Sequence, residues 1–140
     1  MRYLLPTLLG AAALGLAVAA RAAKEDKKVD GRVFELRTYH AAPGKMEALH
    51  ARFRDHTCRL LQKHGMTLVG FWVPSEPPES EKRLIYLVAH LNREAAQRSW
   101  AALGADPEWQ AVKEASERDG KIVERIESLF LSPTDYSLLR

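Results

Sequence analysis

The sequence contains little cysteine and no large excess of charge of either sign. Cys58 is its single cysteine among 140 residues, which excludes an internal disulfide framework. It falls within a predicted helix and has no CxxC neighbour, so we expect it to pack as a small apolar side chain. The formal net charge is +3, and it becomes 3 − 2 = +1 without Arg2 and Arg21 of the first 23 residues. This balance, with no basic cluster interleaved with aromatic residues, argues against nucleic acid or an anionic membrane surface as a partner.

Motifs typical of metal or nucleotide cofactor sites are also missing. The sequence has no glycine-rich phosphate loop, no GxGxxG pattern and no GxSxG nucleophile motif. His50 and His56 are six residues apart, which places them about 120° out of alignment on a helix, whereas the histidines of a zinc-binding HExxH pair are four apart. The sequence therefore predicts no metal site and no cofactor.

The longest apolar run lies at the N-terminus. Residues 4–20 carry no charge and are apolar apart from Thr7, and residues 20–22 fit the small-x-small cleavage pattern. We expect a signal peptide at residues 1–23, cut near Ala22 or Ala23, and then a charged linker at residues 24–31. Export across a bacterial membrane, to the periplasm or the exterior, follows from this. Because a run of about 17 residues is at the short limit for a membrane span, an uncleaved leader that anchors the protein is the alternative.

Hydrophobic periodicity divides the rest of the chain, residues 32–137, into the elements of one domain. Strands are predicted at residues 32–40, 66–73, 83–91 and 121–131, and helices at residues 45–63, at 93–103 and from 107 to a stop at Gly120. Asn92 and Asp106 are the expected N-caps of the two later helices. This order is that of a ferredoxin-like α+β sandwich, with an antiparallel four-stranded sheet in the order 4-1-3-2 and the helices on one side.

Two local patterns refine this prediction. The first helix has an apolar face at spacings of three and four, and its opposite face is predicted to carry Glu47, Arg52, Arg54, Asp55 and Arg59. Gly70, inside the second strand, predicts a bulge or the close approach of another backbone.

One face of the sheet requires a cover that the helices do not supply. The first strand alternates between Phe34 and Leu36 on one face and Glu35, Arg37 and Tyr39 on the other. Both alternating sets of the second and third strands are largely apolar, so an uncovered face would expose more apolar area than a monomer usually leaves open. We therefore expect a homodimer that packs sheet against sheet as a dimeric α+β barrel. Alternation alone leaves open which face meets the partner.

The chain also resembles the NIPSNAP domain family, in the form of a bacterial, secreted-type member. The resemblance covers roughly residues 33–137, and it rests on the order and spacing of five segments: FELRTY at 34–39, PGK at 43–45, HG at 64–65 with LVGFW at 68–72, DPEWQ at 106–110 and LSPTDYS at 131–137. It implies a dimeric α+β barrel, in agreement with the residue patterns, and no settled activity.

The acid, base and phenol on the first strand are the main candidates for a site. Arg37 would bind an anionic head group in the barrel, with Tyr39 as a hydrogen-bond donor and Trp72 as the floor of the pocket. The alternative is that Arg37 forms an ion pair, with Glu35 or with a charged residue of the last strand, and is not available to a ligand. The candidate general bases are His40, His90 and Glu35.

Two functions are compatible with this pattern. The first is a dimeric barrel that binds a small apolar-anionic ligand or a protein partner, without an assigned reaction. The alternative is an enzyme like the cofactor-independent monooxygenases and isomerases among dimeric α+β barrels. An enzyme predicts a closed lumen in which Glu35, His40 or His90 reaches a common point alongside Arg37 or Tyr39. A binding module or scaffold predicts an ion-paired Arg37 and no remaining cavity.

Overall fold

A computed structural model describes residues 31–140 of the chain. The predictions of a signal peptide at residues 1–23 and of a charged linker fall on residues 1–30, apart from the linker's last residue, and so lie outside the described residues. No helix within residues 31–140 combines the length and the apolar character needed to span a membrane.

The described chain has the predicted succession of strands and helices. In order, the elements are β1 (Val33–Ala41), α1 (Met46–Arg52), a π-helical turn (Phe53–Thr57), α2 (Cys58–Lys63), β2 (Thr67–Trp72), a 3₁₀ turn (Glu79–Glu81), β3 (Arg83–His90), α3 (Arg93–Ala105), α4 (Pro107–Ser116) and β4 (Val123–Leu131). The four strands form one antiparallel sheet in the order β2-β3-β1-β4, which confirms the predicted α+β fold and its 4-1-3-2 order.

Both predicted N-caps are present. Asn92 Oδ1 accepts a hydrogen bond from the Ala95 amide at 2.7 Å, and Asp106 Oδ1 accepts one from the Glu108 amide at 2.9 Å. These bonds satisfy amides that a helix start leaves without intrahelical partners. The predicted end of α3 at residue 103 is two residues early, because Gly104 keeps helical geometry and the extended Asp106 is what stops the helix.

The first predicted helix is interrupted by a π-helical turn. Thr57 Oγ1 donates to the Arg52 carbonyl at 3.2 Å, across the wider turn. The predicted outward position of Arg52 is wrong, because its side chain is only 5% exposed. Arg52 follows Leu49 by three positions, and this spacing places both on the buried face.

Of the two alternatives predicted for Gly70, the structure shows the bulge. The pairing of β2 with β3 shifts register between Leu68 and Gly70, which is a bulge. A β-carbon at Gly70 would lie 2.5 Å from the Trp72 ring, so only glycine admits the present position of that indole.

The two sheet faces are covered differently. Tyr39, Leu84, Tyr86 and Val88 pack with the helices around Leu49, Phe53, Leu60, Leu61 and Leu103 to form the core. The opposite face, which we call the open face, carries Phe34, Leu36, Trp72, Ile85, Leu87, Leu129 and Leu131. Leu129 on this face is 57% exposed and Trp72 is 52% exposed. Residues of the C-terminal tail line a depression on this face together with Phe34 and Leu87.

Candidate functional site

The residues predicted to form a site divide between the two sheet faces. Glu35, Arg37 and Tyr39 lie on the helix-covered face, and His90 of β3 joins them there. His40 and Trp72 lie on the open face. The structure therefore brings four of the six predicted residues to one side of the sheet. That side packs against the protein's own helices, so the predicted placement of Arg37, Tyr39 and Trp72 together in a barrel is wrong.

His40 belongs to a separate group of charged side chains. Its Nε2 lies 3.0 Å from Glu127 Oε1 and 3.0 Å from Arg125 Nη2, and Arg125 also forms an ion pair with Glu127. This group is partly exposed at the β1–β4 pairing. Trp72 covers Gly70 instead of lining a cavity with Arg37.

Glu35 is the centre of the buried polar network. Its side chain is 1% exposed, yet each carboxylate oxygen accepts two hydrogen bonds. Oε1 accepts from Arg37 Nη1 at 2.7 Å and from Ser128 Oγ at 2.6 Å. Oε2 accepts from Trp100 Nε1 at 2.6 Å and lies 2.9 Å from His90 Nε2. Four elements, β1, β3, α3 and β4, therefore meet at one carboxylate.

These donors determine the charge of Glu35. Burial by itself would raise its pKa, but the hydrogen bonds from His90, Ser128, Trp100 and Arg37 outweigh burial and lower the pKa from 4.5 to about 2. Because an ionised carboxylate can only accept, His90 donates through Nε2. Its buried Nδ1 is then left without a hydrogen-bond partner among the described residues.

Arg37 is held in place by an ion pair and by an aromatic ring. Its Cζ lies 4.0 Å from the centre of the Trp100 ring, in addition to the bond to Glu35. The structure therefore contains the ion pair that the alternative interpretation of Arg37 expected. Arg37 Nε is buried and has no partner within residues 31–140.

Arg52 is the site residue that the sequence interpretation missed. Its Nη1 reaches Ser116 Oγ at 3.3 Å and Glu117 Oε1 at 3.4 Å, and its Cζ lies 5.3 Å from the Trp109 ring. Burial lowers the pKa of Arg52, which means that its charge is incompletely compensated. Arg52 Nε, too, is buried without a partner within residues 31–140. Its spacing of three from Leu49 is the sequence signal that would have identified it.

Two tyrosines complete the interior between the arginines. The rings of Tyr39 and Tyr86 are 5.4 Å apart, and Tyr39 meets Phe53 edge to face. Burial raises the pKa of Tyr86 well above its usual value of 10.0, so its phenol stays protonated at neutral pH.

Two neighbouring depressions lie beside this network. The first, which we call the inner pocket, has a volume of about 160 Å³ and is lined by Arg37, Tyr39, Thr57, Leu61, Trp100, Leu103, Gly104 and Trp109. The second, the outer groove, has a volume of about 550 Å³ and runs between α4 and β4. Tyr39 and Trp109 line both.

The outer groove carries an excess of positive charge. Its lining includes three basic residues, Arg52, Lys113 and Lys121, against two acidic ones, Glu117 and Glu124. Arg125 also lines it, but its guanidinium is held by His40 and Glu127 on the open face. Among residues 31–140, no group of three or more histidine, cysteine, aspartate or glutamate side chains is placed to hold a metal ion. The groove is therefore chemically suited to an anion that meets an aromatic surface at Trp109.

Comparisons with known proteins agree with this architecture. The model of the family described as NIPSNAP matches residues 34–138. A NIPSNAP family protein from Agrobacterium tumefaciens is 25% identical, with 78% of this chain and 99% of that chain covered and a TM-score of 0.67. A NIPSNAP-like domain protein from Burkholderia xenovorans is 20% identical, with 77% and 90% covered and a TM-score of 0.66.

A more distant likeness concerns an enzyme. A mutant of SnoaB, a cofactor-independent oxygenase from Streptomyces nogalater, is 13% identical, with 79% of this chain and 99% of that chain covered and a TM-score of 0.51. At this identity the likeness concerns the fold alone. A search of curated proteins finds no match.

Proposed function

The chain belongs to the NIPSNAP family, and we propose that it is a homodimeric binding protein whose ligand, a small organic anion with an apolar body, lies between the sheet and the helices of each protomer. The NIPSNAP family itself fixes no ligand and no reaction. The proposal therefore rests on the chemistry of the inner pocket and the outer groove.

The observation that carries the proposal is the under-compensated charge of Arg52. A buried guanidinium is costly unless it is paired and its N–H groups are satisfied. Arg52 is 5% exposed, its one carboxylate partner is 3.4 Å away, and its Nε has no partner within residues 31–140. An anion in the outer groove, which Arg52 lines, would supply the missing charge. Carboxylates suit this role because a guanidinium binds them through two parallel hydrogen bonds.

The residues that line the inner pocket indicate that the ligand has an apolar part. Trp109 lies between the outer groove and the inner pocket, and Trp100, Leu61 and Leu103 extend an apolar surface inward from it. Aromatic walls around a few polar groups are typical of small-molecule sites.

Homodimerisation is the second part of the proposal. The open face carries large apolar side chains that the described chain leaves exposed, Leu129 and Trp72 among them. A second copy, packed sheet against sheet, would cover them. The proposed ligand site lies on the other side of the sheet, so each protomer holds a complete one.

The test is a binding measurement with a matched pair of variants. We expect benzoate to bind, with its neutral isostere benzamide weaker, in isothermal titration calorimetry. Arg52→Met keeps the length of the side chain and removes the charge, and should weaken benzoate binding ~10-fold or more. Arg54→Met, at an exposed arginine two residues further on, should change it little. Equal affinities for benzoate and benzamide, or equal effects of the two substitutions, would overturn the anion site.

An enzyme like the cofactor-independent oxygenases or isomerases is the second candidate. The observation that favours it is the buried Glu35–His90 pair, with His90 Nδ1 unpaired among the described residues. A general base must contact its substrate, however, and neither residue is among those of the described chain that line the inner pocket. Dioxygen uptake or hydrogen exchange in a bound enolisable ligand, lost in His90→Gln, would favour the enzyme; its absence would favour binding alone.

We retain export as part of the proposal. Its support is the uncharged run at residues 4–20 and the cleavage pattern at residues 20–22. N-terminal sequencing of the protein from its host should find a start near Ala23, and an intact Met1 would instead support a membrane anchor.

A further inference from the structure

The backbone conformation at position 104 does not require glycine. It lies within α3 and keeps helical geometry, where glycine is less favourable than alanine. A β-carbon built on it would meet no atom within 4 Å. Neither the backbone nor a close neighbour therefore requires the absence of a side chain there.

The absence of a side chain at Gly104 keeps the rim of the inner pocket open. Gly104 is exposed and lines that pocket together with Leu103, and Trp100 and Trp109 form aromatic walls. A larger residue at position 104 would project into open space at this rim. Because Gly104 lines the pocket, a side chain that extends beyond its β-carbon would narrow the pocket at this rim.

The size of the pocket limits what can enter. Its volume of about 160 Å³ is close to the ~150 Å³ of an apolar protein cavity that holds one benzene molecule. The pocket therefore holds about one six-membered ring. The aromatic walls favour a flat group that stacks against an indole.

We propose that the inner pocket admits a single aromatic ring past Gly104, so that Gly104 sets the size limit and the ligand is a monocyclic aryl carboxylate. The carboxylate part of this statement rests on the proposed function. The ring lies against Trp109, and the carboxylate points into the outer groove, where the Arg52 Cζ is 5.3 Å from the centre of the same indole. The ring part rests on the pocket alone.

The experiment uses variants that add side chains of two sizes at the rim of the inner pocket. Gly104→Ala and Gly104→Leu add side chains of increasing size, and Ala102→Leu adds the larger one at an exposed position of the same helix outside the pocket lining. The probes are benzene, which tests the ring pocket alone, and benzoate, which tests the pocket and the anion site together. Binding is followed by the NMR signals of the indole N–H groups of Trp100 and Trp109.

We expect both probes to bind the unaltered protein and Ala102→Leu equally well. Gly104→Leu should weaken both ~10-fold or more because it excludes the ring, and Gly104→Ala should weaken them less. Gly104→Ala should not lower the melting temperature, since alanine is the better helix former. If the leucine variant does not fold, the alanine variant and its graded effect carry the test.

The two proposals fail in different ways. Benzoate binding that requires Arg52 but is unchanged in Gly104→Leu would overturn the role of Gly104 and leave the anion site intact. If Gly104→Leu abolishes benzene binding but the protein does not prefer benzoate over benzamide, the proposed carboxylate of the ligand would be overturned. The proposed ring pocket would remain. Failure of both probes to bind the unaltered protein would overturn both proposals.

Discussion

At the scale of single residues, Glu35 is a buried charge that is fully satisfied, whereas Arg52 is a buried charge that is not. Glu35 accepts from four donors, so the folded protein favours its ionised form over its protonated form more strongly than water does. Arg52 has one distant carboxylate and an unpaired Nε among the described residues. This contrast separates a structural charge from one suited to a ligand.

The low pKa of Glu35 makes stability depend on pH. With the folded pKa at about 2 and the ordinary value at 4.5, the unfolded chain binds the proton first as pH falls. The stabilisation, about 3 kcal/mol for this shift, is therefore fully present above pH 4.5 and is lost progressively as pH falls towards 2. Urea unfolding between pH 2.5 and roughly 6 should show this decline.

The isosteric substitution Glu35→Gln isolates that effect. An amide turns two N–H donors towards groups that are themselves donors, so we expect a loss of about 2–4 kcal/mol at neutral pH. The decline below pH 4.5 should also flatten, since the group no longer titrates. Glu47→Gln, at an exposed carboxylate on α1, is the matched control and should keep the decline. An unaltered pH dependence in Glu35→Gln would contradict the role assigned to this carboxylate.

At the scale of elements, Asp106 joins the end of α2 to the start of α4. Its Oδ2 lies 2.7 Å from both Lys63 Nζ and His64 Nε2, and its Oδ1 caps the amide of Glu108. Hydrogen bonds from Lys63 and His64, then that from the Glu108 amide, hold the pKa of Asp106 well below its usual range. One side chain thus acts as a helix cap and as an ion-pair partner.

Two substitutions separate these roles of Asp106. Asparagine keeps an oxygen that can cap α4 but removes the charge, and alanine removes both. We expect the melting temperature to fall by a few degrees in Asp106→Asn and further in Asp106→Ala. Asp119→Ala is the control, because only the main-chain carbonyl of Asp119 receives a hydrogen bond, from Lys45. Equal melting temperatures for the asparagine and alanine variants would show that the cap adds nothing measurable.

The elements that could be predicted from the sequence are those specified by neighbouring residues. The caps at Asn92 and Asp106 and the bulge at Gly70 each depend on a few consecutive positions, and all three are present. The order of strands and helices follows from hydrophobic periodicity in the same way.

The network around Glu35 depends on residues that are far apart in the chain. Trp100 and Ser128 reach Glu35 from 65 and 93 positions away, and this meeting requires the strand register and the placement of α3. Alternation along β1 placed Glu35 and Arg37 on the same face. Because both faces of β2 and β3 are apolar, however, the sequence could not identify the face that the helices cover. It therefore grouped His40 and Trp72 with residues on the opposite side of the sheet.

At the scale of the whole molecule, the open face and the ligand site lie on opposite sides of one sheet. A charge placed in the open face should therefore break the proposed dimer without disturbing the site. Leu129→Glu places a carboxylate at a side chain that is 57% exposed in the single chain and would be buried between two sheets. We expect sedimentation velocity to find a dimer for the unaltered protein and a dimer dissociation constant at least ~100-fold higher for the variant.

The control adds the same charge on the other side of the molecule. Ala102→Glu lies on an exposed position of α3 and should remain dimeric. A monomeric unaltered protein, or a dimer that tolerates Leu129→Glu, would contradict pairing through the open face.

Ligand binding by the monomeric variant then tests how the two faces are related. Every residue placed at the inner pocket and the outer groove comes from one chain, so Leu129→Glu should bind benzoate as the dimer does. Leu129 and Ser128 are neighbours on β4, however, and Ser128 donates to Glu35 through the sheet's other face. A change at the open face that bends β4 would reach the site along this hydrogen bond. Equal benzoate affinities in monomer and dimer would mean that the protomer is the binding unit. A lower benzoate affinity in the monomer would mean that sheet pairing holds β4 in place, and through β4 also Glu35 and Arg37.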